Sequence, residues 1–95
     1  MDNKITLRDF WNSKKHLAIH CDTKEKADKL LKAFDRLGKE WRSGTSYLVW
    51  DCWEYKENTC YDNTNGYSSV DYYKSRKYKI YEFEDVVFEE ETKTL

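Results

Sequence analysis

Proline is missing from this chain, and glycine and methionine are scarce, with three and one among 95 residues. So short a chain accommodates one domain, because domains cluster at roughly 100–150 residues, and a two-domain protein is excluded. Charge of one sign is also lacking: 17 basic and 18 acidic residues leave a formal net charge of -1. Near-neutrality argues against disorder, which needs high net charge and few aromatics. No run approaches the ~18 apolar residues of a membrane span. The opening Met1-Asp2-Asn3-Lys4-Ile5 lacks the apolar stretch of a signal peptide, so a cytoplasmic location and no membrane contact are expected.

Metal and redox signatures are equally thin. Cys21, Cys52 and Cys60 are an odd number and form no Cys-x-x-Cys pair. Free thiols are expected in a reducing compartment, without a disulfide framework. His16 and His20 flank Leu17-Ala18-Ile19, which reads as a strand. Residues four apart on a strand are about 13 Å apart, beyond shared coordination, so buried thiols and strand-end histidines are favoured over zinc. No nucleophile, base or metal constellation has recognisable spacing, and His20 beside Cys21 would point to the opposite face of a strand. The expectation is a protein that is not an enzyme and takes no cofactor.

Aromatics are what the chain has in plenty. Four tryptophans, eight tyrosines and four phenylalanines make 17% of the residues, against fourteen Leu, Ile and Val. Each ring can bury about 150–250 Å², enough to replace a thin aliphatic core. A domain of this size buries only about two-thirds of its unfolded surface, so several rings must stay partly exposed and offer a contact surface.

Local signals order the elements. Thr6 can cap a short helix through Leu7, Phe10 and Trp11, with Asp9 in its first turn, ending near Asn12 and Ser13. Residues 17–21 read as a strand. Asp22 with Glu25 makes a capping-box pattern ahead of Ala27, Leu30, Leu31, Phe34 and Leu37 at helical spacing, and Gly38 stands where a left-handed cap is wanted. Residues 47–53 are rich in strand formers and predict a strand. Thr59-Cys60-Tyr61 and residues 67–70 bracket Asp62-Asn63-Thr64-Asn65-Gly66, a hairpin whose Asn-Gly supplies positive φ. Residues 71–77 form about one helical turn, and residues 78–83 alternate as a last strand. The fold class is α+β: one main helix on one face of a mostly antiparallel sheet, with a short N-terminal helix and the opposite sheet face uncovered. Residues 1–88 form the domain and residues 89–95 an acidic, frayed tail.

Twelve of the sixteen rings lie between Trp41 and Phe83, in the half read as sheet. Many of them serve the core, but a buried tyrosine needs a partner for its hydroxyl, so the tyrosine excess favours a binding surface. Trp41-Arg42-Ser43-Gly44-Thr45-Ser46-Tyr47 packs a cation, hydroxyls and a glycine between two rings. Such a loop suits phosphate and base recognition, and equally an ordinary Ser-Gly turn; it is not a P-loop. Direct nucleic-acid binding is not expected: without residues 82–95 the charge is only +4, short of a basic stripe.

The runs Asp9-Phe10-Trp11-Asn12-Ser13-Lys14, Leu17-Ala18-Ile19-His20-Cys21, Trp41-x-Ser43-Gly44-x-Ser46-Tyr47, Thr59-Cys60-Tyr61 and Tyr78-Lys79-Ile80-Tyr81-Glu82-Phe83 resemble small uncharacterised proteins of Firmicutes phages and prophages. The resemblance implies a counter-defence setting. One such class is the nucleotide sponges of anti-Thoeris or anti-CBASS type, oligomers that enclose a cyclic or ADP-ribose-derived nucleotide without cleaving it. Another is the anti-CRISPR proteins, which occupy a nuclease surface. The expected reading is a homo-oligomeric sponge for a small nucleotide ligand, with Trp41, Arg42, Ser43, Ser46, Tyr47, Tyr55 and Tyr61 as ligand-binding residues. The alternative is an anti-CRISPR or other protein-binding inhibitor of a defence enzyme.

Overall fold

A computed structural model describes residues 4–88; the acidic tail expected at 89–95 lies outside the described residues. A short strand β1 (Ile5–Thr6) leads into helix α1 (Leu7–Asn12), strand β2 (Leu17–Cys21) and the main helix α2 (Lys24–Arg36). After a long irregular segment and a 3-10 turn (Lys56–Asn58) come β3 (Thr59–Asp62), β4 (Tyr67–Ser69), helix α3 (Val70–Ser75), β5 (Lys79–Glu82), a second 3-10 turn (Phe83–Asp85) and β6 (Val86–Val87). The four-stranded sheet has the order β4-β3-β2-β5, antiparallel except for the parallel pair of β2 and β5, and β1 pairs with β6 in parallel. The class is α+β with a mostly antiparallel sheet, as the sequence predicts.

The helix ends follow the capping signals. The Thr6 hydroxyl accepts the Asp9 amide at 3.1 Å, which starts α1. In α2 the cap is Thr23, accepting from Lys26 N, and not the expected Asp22, whose carboxylate instead pairs with the Lys26 ammonium at 2.7 Å. At the other end Gly38, with φ of 81°, donates to Asp35 O, while Lys39 N donates to Phe34 O. These two bonds make a Schellman motif, whose left-handed residue costs least as glycine.

β2 runs through the centre with both faces covered. Leu17, Ile19 and Cys21 meet the α1 and α2 side, where Phe10 stacks on Phe34 at 5.9 Å and Trp11 meets Phe34 edge-on at 4.9 Å. Ala18, with Cys60 of β3, faces α3 and the fully buried Tyr73. The sheet face expected to be open is therefore covered: α3 caps it, and Val70, Tyr78 and Ile80 pack around that second cluster.

One further local expectation is corrected. Residues 47–53 do not form a strand. Tyr47 turns into the core, and side chains satisfy the backbone: Leu48 N donates to Ser46 Oγ, Trp53 N to Asp51 Oδ1 and Tyr55 N to Thr59 Oγ1. Local bonds of this kind replace a ladder, and positive φ at Cys52 (51°) and Lys56 (52°) breaks extended geometry. The Asn-Gly pair supplies the positive φ of the hairpin turn, as the sequence predicts, at Asn65 (68°), while Gly66 serves a different purpose described below.

Candidate functional site

The irregular segment is held against the hairpin by defined anchors, and a groove of about 980 Å³ lies between them. One wall is the segment 40–46, itself a tight loop: Glu40 bridges Ser46, Trp41 N donates to Thr45 O, and Gly44 takes φ of 88°. This loop is joined to the β3–β4 turn, where Arg42 N donates to Asn65 O and Asn65 Nδ2 to Glu40 O at 2.6 Å. The facing wall is the stretch 49–56. It is fastened by the Trp41 indole N–H on Trp50 O (2.9 Å), by the Lys24–Asp51 ion pair (2.9 Å) and by the Tyr61 hydroxyl on Asp51 O (2.6 Å).

Of the residues expected to bind a ligand, Trp41, Arg42 and Ser43 line this groove. Ser46, Tyr47, Tyr55 and Tyr61 are not among its lining residues. Ser46 looks the other way and bonds Asp35 of α2 at 3.4 Å. Tyr47 and Tyr61 are core residues packed on Trp41 at 4.5 Å and 6.0 Å, and burial pushes both phenols up. The Tyr47 hydroxyl is sealed without a hydrogen bond among the described residues; the Asn65 side chain is close enough to act on it but out of hydrogen-bond geometry. Tyr55 is exposed and leans on Tyr67, which does line the groove. A strand over 47–53 hides the rest of the lining: Trp50 and Trp53 reach the same space because that segment is a loop, and Lys24 of α2 and Lys56 of the first 3-10 turn line it as well.

The groove is therefore mostly ring surface with charge at its edges. Trp50 is 58% exposed, Trp53 and Tyr67 are half-buried, and Trp41 stands edge-on to Tyr67 at 5.7 Å. Lys24, Arg42 and Lys56 supply cations, against Asp51 and Glu54. Asp51 is held below the usual carboxylate range by the Lys24 hydrogen bond. Burial, then hydrogen bonding to Glu54, pushes the Tyr67 phenol up to about 12, so it stays a neutral donor. Cys52 also lines the groove, but burial and Glu54 raise its thiol, which keeps it a poor nucleophile at neutral pH. Neither histidine lines it: His16 sits against Tyr78, and His20 bridges Glu82 Oε1 (2.8 Å) and Glu57 O (2.6 Å).

Flat rings beside a guanidinium and hydroxyls can take an aromatic base and an anionic group together. Among the described residues no helix is long and apolar enough to cross a membrane. No family model, curated protein or solved structure matches the chain.

Proposed function

We propose that this chain is a phage counter-defence protein that binds and sequesters a nucleotide immune signal, of cyclic ADP-ribose or cyclic-dinucleotide type, without cleaving it. The observation that carries this reading is the groove in which Arg42 and Ser43 stand beside Trp50, Trp53 and Tyr67. Its volume falls in the range of small-molecule sites, roughly 300–1,000 Å³. The raised Cys52 thiol and the position of both histidines outside the groove favour holding a ligand over transforming one. The exposed Leu48, Val49 and Trp50 beside the groove mouth supply apolar surface for a homo-oligomer that would close over a bound nucleotide.

Purified protein is incubated with cyclic ADP-ribose isomers and cyclic dinucleotides, separated from free ligand and heated to release what it holds. Recovery of intact nucleotide supports sequestration; retention of none of them sinks it.

The same exposed tip supports a second reading, an anti-CRISPR or other inhibitor that docks on a defence enzyme. Tryptophan flanked by aliphatic side chains is a typical interface anchor. Co-purification with a defence nuclease that is abolished by Trp50→Ala, with no nucleotide retained, would favour it.

A further inference from the structure

Arg42 owes its place to the hairpin turn opposite it. Its Nε and Nη2 donate to Thr64 O at 3.3 Å and 3.1 Å, and Nη2 also donates to Thr64 Oγ1 at 3.0 Å. The Thr64 hydroxyl has one proton, and it goes to Asp62 Oδ1 at 2.8 Å, which leaves a lone pair for the guanidinium. Asp62 is almost wholly buried and is fixed in turn. Oδ1 accepts the amides of Thr64 (2.8 Å) and Gly66 (2.9 Å), and Oδ2 accepts the Tyr73 hydroxyl at 2.6 Å from under α3. The polarity is consistent along the whole chain of bonds: Arg42 donates to Thr64, and Thr64 and Tyr73 donate to Asp62.

Gly66 makes room for this arrangement. A Cβ there would lie 3.1 Å from Arg42 Nη2 and 3.3 Å from Asp62 Oδ2, closer than side chains ordinarily tolerate. Its φ is not left-handed, so the missing side chain matters for space and not for backbone conformation.

We propose that Thr64, backed by Asp62 and Tyr73 and given clearance by Gly66, is the positioning residue that fixes Arg42 as the anion-binding group of the groove. The proposal rests on the nucleotide reading for what the anion is, a phosphate of the bound nucleotide. Both protons of Nη2 and the single proton of Nε are spent on Thr64, so Nη1 is the nitrogen left for a ligand. The contact is then through one nitrogen of a guanidinium already held in place, which lowers the ordering cost of binding.

The test reads Arg42 order directly, by ¹⁵N relaxation of its side-chain Nε–H in wild type, Thr64→Val, Thr64→Ser and Gly66→Ala, with circular dichroism confirming that each folds. Wild type and Thr64→Ser should show the most ordered Nε–H. Thr64→Val, which keeps the carbonyl that accepts from Nε and Nη2 but loses the hydroxyl bond to Nη2 and its tie to Asp62, and Gly66→Ala should each show a measurably lower order parameter. Calorimetry with cyclic ADP-ribose should show about fivefold weaker binding in Thr64→Val, restored by Thr64→Ser. Thr64→Val exchanges only the hydroxyl for a methyl group, so it keeps the assignment testable if Gly66→Ala fails to fold. An Arg42 Nε–H as ordered in Thr64→Val as in wild type overturns the positioning role. Failure of the wild type to bind cyclic ADP-ribose counts against the nucleotide reading, and relaxation alone then decides the relay.

Discussion

The hydroxyl of Tyr61, fully buried on β3, donates to the backbone carbonyl of Asp51 across 2.6 Å and so joins an internal strand of the sheet to the irregular wall of the groove. The ring belongs to the core, while its polar end organises the site from behind. Tyr61→Phe keeps the packing and orphans a part-buried carbonyl, at about 1 kcal/mol. The expected outcome is a small fall in the urea midpoint with unchanged slope, together with faster trypsin cleavage at Lys56. Equal cleavage rates in the two proteins would show that Asp51 is held without Tyr61.

The second fastening of that wall is electrostatic. Lys24 bonds Asp51 at 2.9 Å and Asp28 at 3.1 Å; the Asp51 carboxyl is lowered by Lys24, and the Lys24 ammonium is raised, first by Asp51. A carboxyl lowered in the folded state adds stability above its unfolded pKa, near 3.9, and loses it as pH falls through the lowered folded value. The anchor is thus complete at neutral pH and released below about pH 4. Both partners are substantially exposed, so salt should weaken it. An NMR titration should find the Asp51 carboxyl returning toward its ordinary value in Lys24→Met; an unmoved Asp51 would remove Lys24 as the cause.

What the sequence made legible were the elements with local signals. Thr6 and Gly38 mark helix ends, the spacing from Ala27 to Phe34 marks the buried face of α2, and the Asn65-Gly66 turn marks the hairpin. Residues 47–53 read as a strand because Tyr, Val and Trp favour strands. Here that preference is overridden by the burial of Tyr47 and by serine, aspartate and threonine oxygens that satisfy the backbone. The parallel pairing of β2 with β5 joins residues 62 apart and has no local sequence signal. The six-residue α3 was partly anticipated as a helical turn, but not its burial of Tyr73 against the second sheet face. In the candidate site, the placing of Trp41, Arg42 and Ser43 together is legible because they share one loop, whereas that of Trp50, Trp53 and Tyr67 beside them is not, because the groove needs a loop where strand propensity predicts an edge. The Asp62-x-Thr64-x-Gly66 spacing was a readable signal for the Arg42 anchor, since an aspartate accepting amides two and four residues ahead fixes such a turn.

Alkaline pH should unfold the protein cooperatively. Burial raises the phenols of Tyr47, Tyr61 and Tyr73, Asp62 adding to the last, and raises Tyr67 to about 12. A group whose pKa is raised by folding contributes stability that is complete below its unfolded value, about 10 for tyrosine, and lost as pH rises through the folded value. The Cys60 thiol, raised to about 12 by burial and then by Glu82, acts in the same direction from a lower starting point. Absorbance at 295 nm should therefore show a group of tyrosines ionising in one steep step that coincides with the loss of far-UV circular dichroism. Gradual ionisation with the fold intact would mean that these phenols reach water in the native state.

Placement in the groove separates residues that sequence analysis grouped together. Arg42 and Trp50 line it, whereas Ser46 bonds Asp35 and caps Leu48 N outside it. Removing the Arg42 guanidinium deletes a charge-assisted contact worth about 1.5–3 kcal/mol, or roughly 10- to 100-fold in affinity for an anionic ligand. A stacked indole is worth about 1–3 kcal/mol per base. Calorimetry with whichever cyclic nucleotide is retained should therefore rank Arg42→Ala and Trp50→Ala at about tenfold weaker or worse, and Ser46→Ala within about twofold of wild type. Arg42→Ala should also flatten the salt dependence of binding, and Trp50→Ala should leave it intact, because on the proposed reading only the first removes a charge that would face phosphate. A Ser46→Ala loss equal to that of Arg42→Ala would move the ligand out of the groove, toward the C-terminal end of α2.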